Sequence, residues 1–354
     1  MTTRVVVAMS GGVDSSVAAA LLKEQGHEVI GLMMRLWSEP GKEAFNRCCT
    51  PDAMAHARHI ADMLDIPFYV IDAKDVFYSN IVQFFIDGYS DGVTPNPCVE
   101  CNRHIRWEFL LNKALSLGAT HMATGHYARV QESDGQHQLL KSIDPQKDQS
   151  YVLHVLGQEQ LRHAMFPVGD YTKPQIRDLA RKYNLPTAER PDSQDLCFIS
   201  DKDYHRFLSE HATGLAQPGP IVTRTGEVLG QHQGLPFYTI GQRKGIGVAA
   251  AHPLYVLGTD PSRNALIVGP VEELGQTKMR VGRVNWTSIP IPTEPFECGI
   301  KIRYKATERR GTVTPLAPDR VGVTFDEPAR DVTPGQAAVF YDGDVVLGGG
   351  IILK

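Results

Sequence analysis

The opening residues, MTTRVVVAMSGGVDSS, limit the fold more than any other stretch of this chain. Val5-Val6-Val7-Ala8-Met9 reads as a short buried strand and Val17 to Lys23 as a helix, so Ser10-Gly11-Gly12-Val13-Asp14-Ser15-Ser16 is the turn between them. A strand that runs straight into a helix is a βα junction, the repeating unit of a parallel sheet. Paired glycines let the backbone approach a ligand closely, and the helix N-terminus behind them offers unpaired N–H groups and the positive end of a dipole. That combination favours an anion, and phosphate is the first candidate.

The loop lacks the Gly-Lys-Ser/Thr of a Walker sequence, so no lysine within it grips the terminal phosphates, and it lacks the spaced glycines of the dinucleotide fingerprint. It resembles the S-G-G-x-D-S loop of the PP-loop ATP pyrophosphatases. The resemblance implies that Ser10 to Ser15 hold pyrophosphate with Asp14 near Mg²⁺, while ATP is cleaved to AMP and pyrophosphate and a substrate oxygen is adenylated. It leaves the substrate open.

Downstream, strand and helix keep alternating. Glu28 to Arg35 is a second strand, Thr50-Pro51 starts a helix that ends near Ile66-Pro67, and Phe68 to Asp72 is a third strand. A helical stretch through Phe85, a loop carrying Thr94-Pro95-Asn96-Pro97-Cys98, a helix from about Asn102 to Leu117 and a strand at His121 to Thr124 complete a parallel sheet covered by helices. Ligands collect at the carboxyl ends of such strands, where the Ser10 loop, Met33-Met34 and Gly125-His126 all fall. Thr172 to Tyr183 and Asp203 to His211 read as further helices. From about Gly219 the texture changes to short strands punctuated by Gly and Pro, as in small barrels, with Tyr341-Asp342-Gly343-Asp344 as a hairpin turn. With 354 residues the chain is too long for one ordinary core. The expected division is an α/β catalytic domain over 1–202, a small mainly-β domain over 203–275 and a C-terminal β-barrel over 276–354.

Hydrophobic residues at 42% and charged residues at 21% describe a soluble globular protein. No basic-then-apolar leader is visible and no apolar run reaches the ~20 residues of a membrane span, so the expectation is a cytoplasmic protein without a membrane partner. A net charge of −4 gives no general pull on nucleic acid, which leaves local patches such as Arg309-Arg310 and Arg243-Lys244 to supply it. Six cysteines in a chain this long are not a disulfide framework. Cys98-Val99-Glu100-Cys101 has three readings: a zinc half-site, a redox pair or two unreactive buried thiols. A helix N-terminus beside Cys101, with Arg103 and Arg106, favours its thiolate and hence a nucleophile. Cys48, Cys49 and Cys298 read as structural.

The chain as a whole resembles the tRNA-specific 2-thiouridylases, which replace O2 of the wobble uridine with sulfur. The resemblance rests on SGGVDSS, TPNP-x-x-x-CN, ATGHYA (Ala123 to Ala128), KDQSY (Lys147 to Tyr151), FPVG (Phe166 to Gly169), the CF of DLCF, GQHQGL, GQRKG and the closing TPGQAAVFYDGDVVLGGGII. It implies an ATP site at Ala8, Met9, Ser10, Gly11, Gly12, Val13, Asp14, Ser15, Met34 and Gly125. It implies a base-contacting loop at Asn96, Pro97 and Cys98, a nucleophile at Cys101 and a persulfide-bearing cysteine at Cys197. tRNA contacts are implied at His126, Asp148, Gln149, Ser150, Arg303, Tyr304 and Gln336.

The implied chemistry suits those residue types. ATP converts a poor leaving oxygen to an adenylate, sulfur arrives as a persulfide on Cys197, and attack by Cys101 yields hydrosulfide or a Cys101–Cys197 disulfide that a reductant must reopen. A persulfide donor such as a cysteine desulfurase or sulfur-relay protein is then a partner, and the base leaves its stack to reach the pocket. Many relatives carry aspartate where this chain has Cys98. Three thiols at Cys98, Cys101 and Cys197 equally suit a [4Fe–4S] cluster with one open iron site, so both sulfur routes stay open. A different PP-loop adenylating ligase needs the loop but neither Cys101 nor Cys197, and a non-catalytic nucleotide-binding module needs only the loop.

Overall fold

The computed structural model describes residues 3–42, 50–191, 196–201, 203–212 and 217–354; Cys48, Cys49 and the Ser193-Gln194-Asp195 stretch before Leu196 lie outside the described residues. Strands β1 (Arg4–Ala8), β2 (Glu28–Arg35), β3 (Phe68–Asp72) and β4 (His121–Ala123) are followed by a hairpin of β5 (Ala128–Ser133) and β6 (Gln136–Lys141), then by β7 (Ala164–Met165). A parallel sheet runs in the order β3-β2-β1-β4-β7. Val5, Val6 and Val7 are fully buried because helices cover both faces of the strand they occupy. Strand order reverses between β1 and β4, the crevice where ligands bind in such sheets.

One face packs on the helices Val13–Glu24 and Lys173–Lys182, through Val17, Leu21, Leu22, Ile176 and Ala180. Thr50 caps the helix Pro51–Met63 by accepting from Ala53 N at 3.0 Å, as the Thr-Pro pair foretold. On the opposite face, helical residues 97–116 bring Trp107, Leu110 and Leu111 into a core that also takes Ala337, Val339 and Tyr341 from the far end of the chain. That helix begins about five residues before the expected Asn102. Asn96 caps it by accepting from Val99 N at 3.3 Å, and Pro97 occupies its first turn, where a missing N–H costs nothing. Its middle, Cys101–Leu110, winds as a π-helix.

A four-stranded sheet of β8 (Gly219–Val222), β9 (Val228–His232), β10 (Tyr255–Asp260) and β11 (Ala265–Gly269) follows, in the order β10-β11-β8-β9. The last sheet combines β12 (Gln276–Trp286), β13 (Phe296–Lys301), β14 (Arg309–Ala317), β15 (Arg320–Ala329), β16 (Ala337–Asp342) and β17 (Val345–Ile352) with β6 and β5. Pairing of β12 with β17 closes it. The β5–β6 hairpin therefore leaves the α/β half and extends the distant barrel. Its Asp134-Gly135 turn has positive φ at both residues, the signature of a type I′ hairpin. Among the described residues no helix is long and apolar enough to cross a membrane.

Candidate functional site

At the end of β1, Met9 N donates to Leu32 O at 2.9 Å, holding the strand beside β2 up to the turn. Gly11 then takes φ +72°, and a Cβ there would meet Ala53 O at 2.8 Å, so both conformation and space demand glycine. Gly12 caps the helix that opens with Val13 and Asp14. Ser15 and Ser16 turn their hydroxyls inward onto Gly12 O, and Ser10 N donates to Ser15 Oγ at 3.2 Å, so the turn is braced from within while Ser10 faces solvent. Gly125, beyond β4, presses on this turn: a Cβ on it would stand 2.6 Å from Ser15 N and 2.8 Å from Asp14 C. The structure brings Ala8 to Ser15 and Gly125 together, with Met34 half-buried at the end of the adjoining β2.

Two cations that sequence reading passed over reach the turn from far along the chain. Lys173 Nζ donates to both Asp14 oxygens, at 2.8 and 2.9 Å, and Tyr127 Oη donates to Asp14 Oδ1 at 2.8 Å. Arg190 Nη1 donates to Gly11 O at 2.7 Å. The Thr-Lys-Pro helix start at Thr172 was legible, but nothing local in it pointed to a residue so distant in sequence.

The thiols sit in contrasting surroundings. Cys101 is buried in an apolar cluster with Leu36, Phe85, Phe198 and Phe207, and Cys197 is half-buried against the same cluster. Cys98 is exposed, in the first turn of its helix. Because the helix starts at Pro97, its N-terminus lies beside Cys98, and Cys101 is a turn further in; the expected placement of Cys101 at a helix start is corrected accordingly. Arg103 lies 3.7 Å from Glu100 and Arg106 donates to Asn102 Oδ1 at 3.3 Å, so the two arginines serve neighbouring polar groups. Cys298 is buried in the barrel, where burial pushes its thiol up to about 12, in keeping with a structural role. Among the described residues the three His, Cys, Asp or Glu side chains whose ligand atoms lie within 4.8 Å of one another are Glu39, Glu210 and His211, and Cys98, Cys101 and Cys197 form no such group.

The segment carrying Cys197 is pinned by charge. Arg206 Nη1 and Nη2 each donate at 2.8 Å to Glu39, in the loop after β2, and Ser200 Oγ donates to the same carboxylate at 3.1 Å. Burial alone would raise the Glu39 pKa, but these bonds hold it down to about 2.

The positions implied to touch RNA gather where the barrel meets the α/β half. Gln336 Nε2 donates to Thr94 O at 2.9 Å, and Thr94 N donates to Pro334 O at 3.0 Å, so the barrel grips the loop leading into Asn96, Pro97 and Cys98. Tyr304 stands near Cys98 and Asp148, and burial and those neighbours raise its hydroxyl to about 12. Asp148 is buried; burial raises its pKa, opposed by bonds from Ser142 N and from Ser150 N and Oγ. Ser150 is buried, and Gln149 Oε1 accepts from Tyr127 N. Arg303 donates to Ile240 O and Thr333 Oγ1, both at 2.7 Å. His126 is buried beside Arg106, and burial first, then that charge, push its pKa well down, so the ring is neutral. Asp148, Ser150 and His126 thus face inward in this conformation, while Gln149, Arg303, Tyr304 and Gln336 are half-buried.

A parallel sheet with an S-G-G-x-D-S turn at its switch point, followed by two β units, defines a PP-loop protein of the α/β class. Residues 3–201 match the family model described as tRNA methyl transferase HUP domain, 205–270 the tRNA methyl transferase PRC-barrel domain, and 276–352 the Aminomethyltransferase beta-barrel domain. The chain is 50% identical to the tRNA-specific 2-thiouridylase MnmA of Symbiobacterium thermophilum, over 99% of this chain and 92% of that one. It is 50% identical to the same enzyme of Geobacter metallireducens, over 99% and 96%, and 48% identical to that of Carboxydothermus hydrogenoformans, over 99% and 98%. The chain belongs to the tRNA-specific 2-thiouridylase family.

Proposed function

We propose that this protein thiolates C2 of the wobble uridine of tRNA at the expense of ATP, through an adenylated base and a cysteine persulfide. The observation that carries this reading is the placement of Cys101 and Cys197 against one apolar cluster, despite their separation in sequence, in a chain whose glycine-bearing turn at Ser10 to Ser15 opens a helix at the switch point of a parallel sheet. The turn holds the phosphates of ATP on backbone N–H groups. Asp14, a carboxylate already bearing one cation, fits a magnesium ion brought with ATP, which would neutralise developing phosphate charge. Gly125 and Met34 flank the nucleoside.

The uridine, turned out of its stack, enters between Asn96, Pro97, Cys98 and the barrel. Its O2 attacks the α-phosphorus, pyrophosphate departs, and the oxygen becomes part of a good leaving group. The terminal sulfur of a persulfide on Cys197 then attacks C2 and AMP leaves. The Cys101 thiolate attacks the Cys197 sulfur, freeing the thiocarbonyl and leaving a Cys101–Cys197 disulfide, which a dithiol reductant reopens. The persulfide comes from a donor protein of the cysteine desulfurase or sulfur-relay kind. Burial of Cys101 excludes water from this step. The barrel, with Arg303, Tyr304 and Gln336, and the segment Asp148 to Ser150 position the anticodon arm; the domains so employed span 1–202, 203–275 and 276–354.

The reading is tested by nucleoside mass analysis of tRNA from cells lacking this gene and from cells in which it is restored. Loss and return of wobble 2-thiouridine supports it, and an unchanged level contradicts it.

A further inference from the structure

The turn at Ser10 to Ser15 contains no lysine, yet an ATP-cleaving site needs a mobile cation to follow the charge of the leaving pyrophosphate. We infer that Lys173 is that cation: it pairs with Asp14 in this structure and meets the β- and γ-phosphates when Mg-ATP is bound. The inference rests on the ATP reading of the turn and adds a residue to it.

The geometry shows a built position. Lys173 is only 8% exposed, and its backbone N donates to Asp144 Oδ2 at 2.9 Å, which fixes the start of the helix Lys173–Lys182. From that anchor its ammonium reaches both Asp14 oxygens, passing within 5.7 Å of the centre of the Tyr127 ring, whose hydroxyl donates to the same carboxylate. A lysine taken out of water needs a charge to face, and here that charge is the loop aspartate.

That arrangement cannot persist in the loaded site. A magnesium ion held by Asp14 would take one of the carboxylate oxygens. It would then crowd an ammonium that touches both oxygens. The phosphates arriving with the ion carry the compensating negative charge, so the flexible lysine stem needs only a short movement to exchange one anion for another. Arg190 differs, because its Nη1 bond is to the Gly11 carbonyl, a neutral acceptor that ligand binding does not contest. Lys173 thus does from a distant helix what the Walker lysine does from within its own loop, and its ligand is the polyphosphate chain rather than the nucleoside.

The experiment compares three ligands by calorimetry on the full chain: Mg-ATP, pyrophosphate with magnesium, and AMP. Lys173→Met is expected to weaken Mg-ATP and pyrophosphate by at least about tenfold, the loss of one charge-assisted contact, and to change AMP by no more than about twofold. Binding of unmodified tRNA stays as in the wild type. Equal affinity of wild type and variant for Mg-ATP, or an equal loss for AMP and ATP, overturns the assignment. If the methionine variant does not fold, Lys173→Gln keeps a polar hydrogen-bonding side chain facing Asp14 but carries no charge to offer the phosphates. Selective loss for pyrophosphate over AMP then supports the inference, and unchanged affinity for both overturns it. A wild-type protein that fails to bind Mg-ATP contradicts the ATP reading itself, whereas binding that Lys173→Met leaves intact contradicts only the role of the lysine.

Discussion

The nucleotide turn and the thiol segment lie in one domain but are built on opposite principles. The turn is a short, glycine-fixed backbone cradle at a helix N-terminus that favours an anion, with Asp14 paired to Lys173. The thiol segment is a longer helix with a π-helical middle, carrying Cys101 into an apolar cluster whose wall includes the neighbours of Cys197. The difference suits the chemistry proposed for each. Phosphate transfer needs dipoles already pointing at the charge that develops, so rigidity serves it. The proposed sulfur transfer would need two thiols to meet away from water and then part, and the elements that carry them are held at their edges, by Gln336 on one side and the Glu39–Arg206 pair on the other.

Variants can separate the two regions. The largest effect is expected at Asp14→Ala, which should abolish AMP and pyrophosphate formation and also lower the thermal midpoint, because it leaves the buried Lys173 ammonium without its counter-charge; full adenylation by the folded variant breaks the assignment. Cys197→Ser should lose thiolation yet still release pyrophosphate and leave adenylated tRNA, so a variant that also fails to release pyrophosphate would merge the regions this account keeps apart.

Gly125→Ala, with its Cβ driven against the backbone of Asp14 and Ser15, should cost about 1–3 kcal/mol of stability and weaken ATP binding more than tRNA binding. Arg303→Ala should raise the KM for tRNA several-fold without moving that for ATP, and an unchanged salt dependence of tRNA binding would return Arg303 to bracing Ile240 and Thr333.

The effect that touches neither site is acidic. His154 is buried at the barrel seam, and its O accepts from Asn285 Nδ2 and Thr287 Oγ1; burial pushes its pKa down to about 4. The unfolded chain binds that proton from pH ~6.5 downward, so stability from this group is present above ~6.5 and is lost as pH falls toward 4. Thermal midpoints measured across that interval should decline with acid, and a flat profile would remove His154 from the account.

The sequence carried the α/β half further than the barrel. Strands Glu28–Arg35 and Phe68–Asp72 and the Thr50 cap are where pattern and punctuation placed them, because local apolar runs and helix signals decide these elements. The β5–β6 hairpin went unread, although Asp134-Gly135 announced its turn, since its partner strand β17 lies at the other end of the chain. Strand β14 was taken only for a basic pair at Arg309-Arg310, yet its alternation buries Gly311 and Val313. At the site, motif residues were legible because they cluster in sequence. Lys173 and Arg190 were not, because long-range ion pairing leaves no local pattern, and the helix start at Pro97 was displaced because Asn96-Pro97 was read as loop rather than as cap and first turn.

The central claim, that one active site joins ATP cleavage to sulfur transfer through Cys101 and Cys197, is tested most directly in a single-turnover reaction of purified protein carrying a persulfide on Cys197, with ATP and unmodified tRNA, followed by mass spectrometry of the nucleosides and the protein. The account predicts one 2-thiouridine per persulfide consumed, matching AMP and pyrophosphate, and a Cys101–Cys197 disulfide in the spent enzyme. Thiolation without ATP, or undiminished thiolation by Cys101→Ser with no disulfide formed, would contradict it.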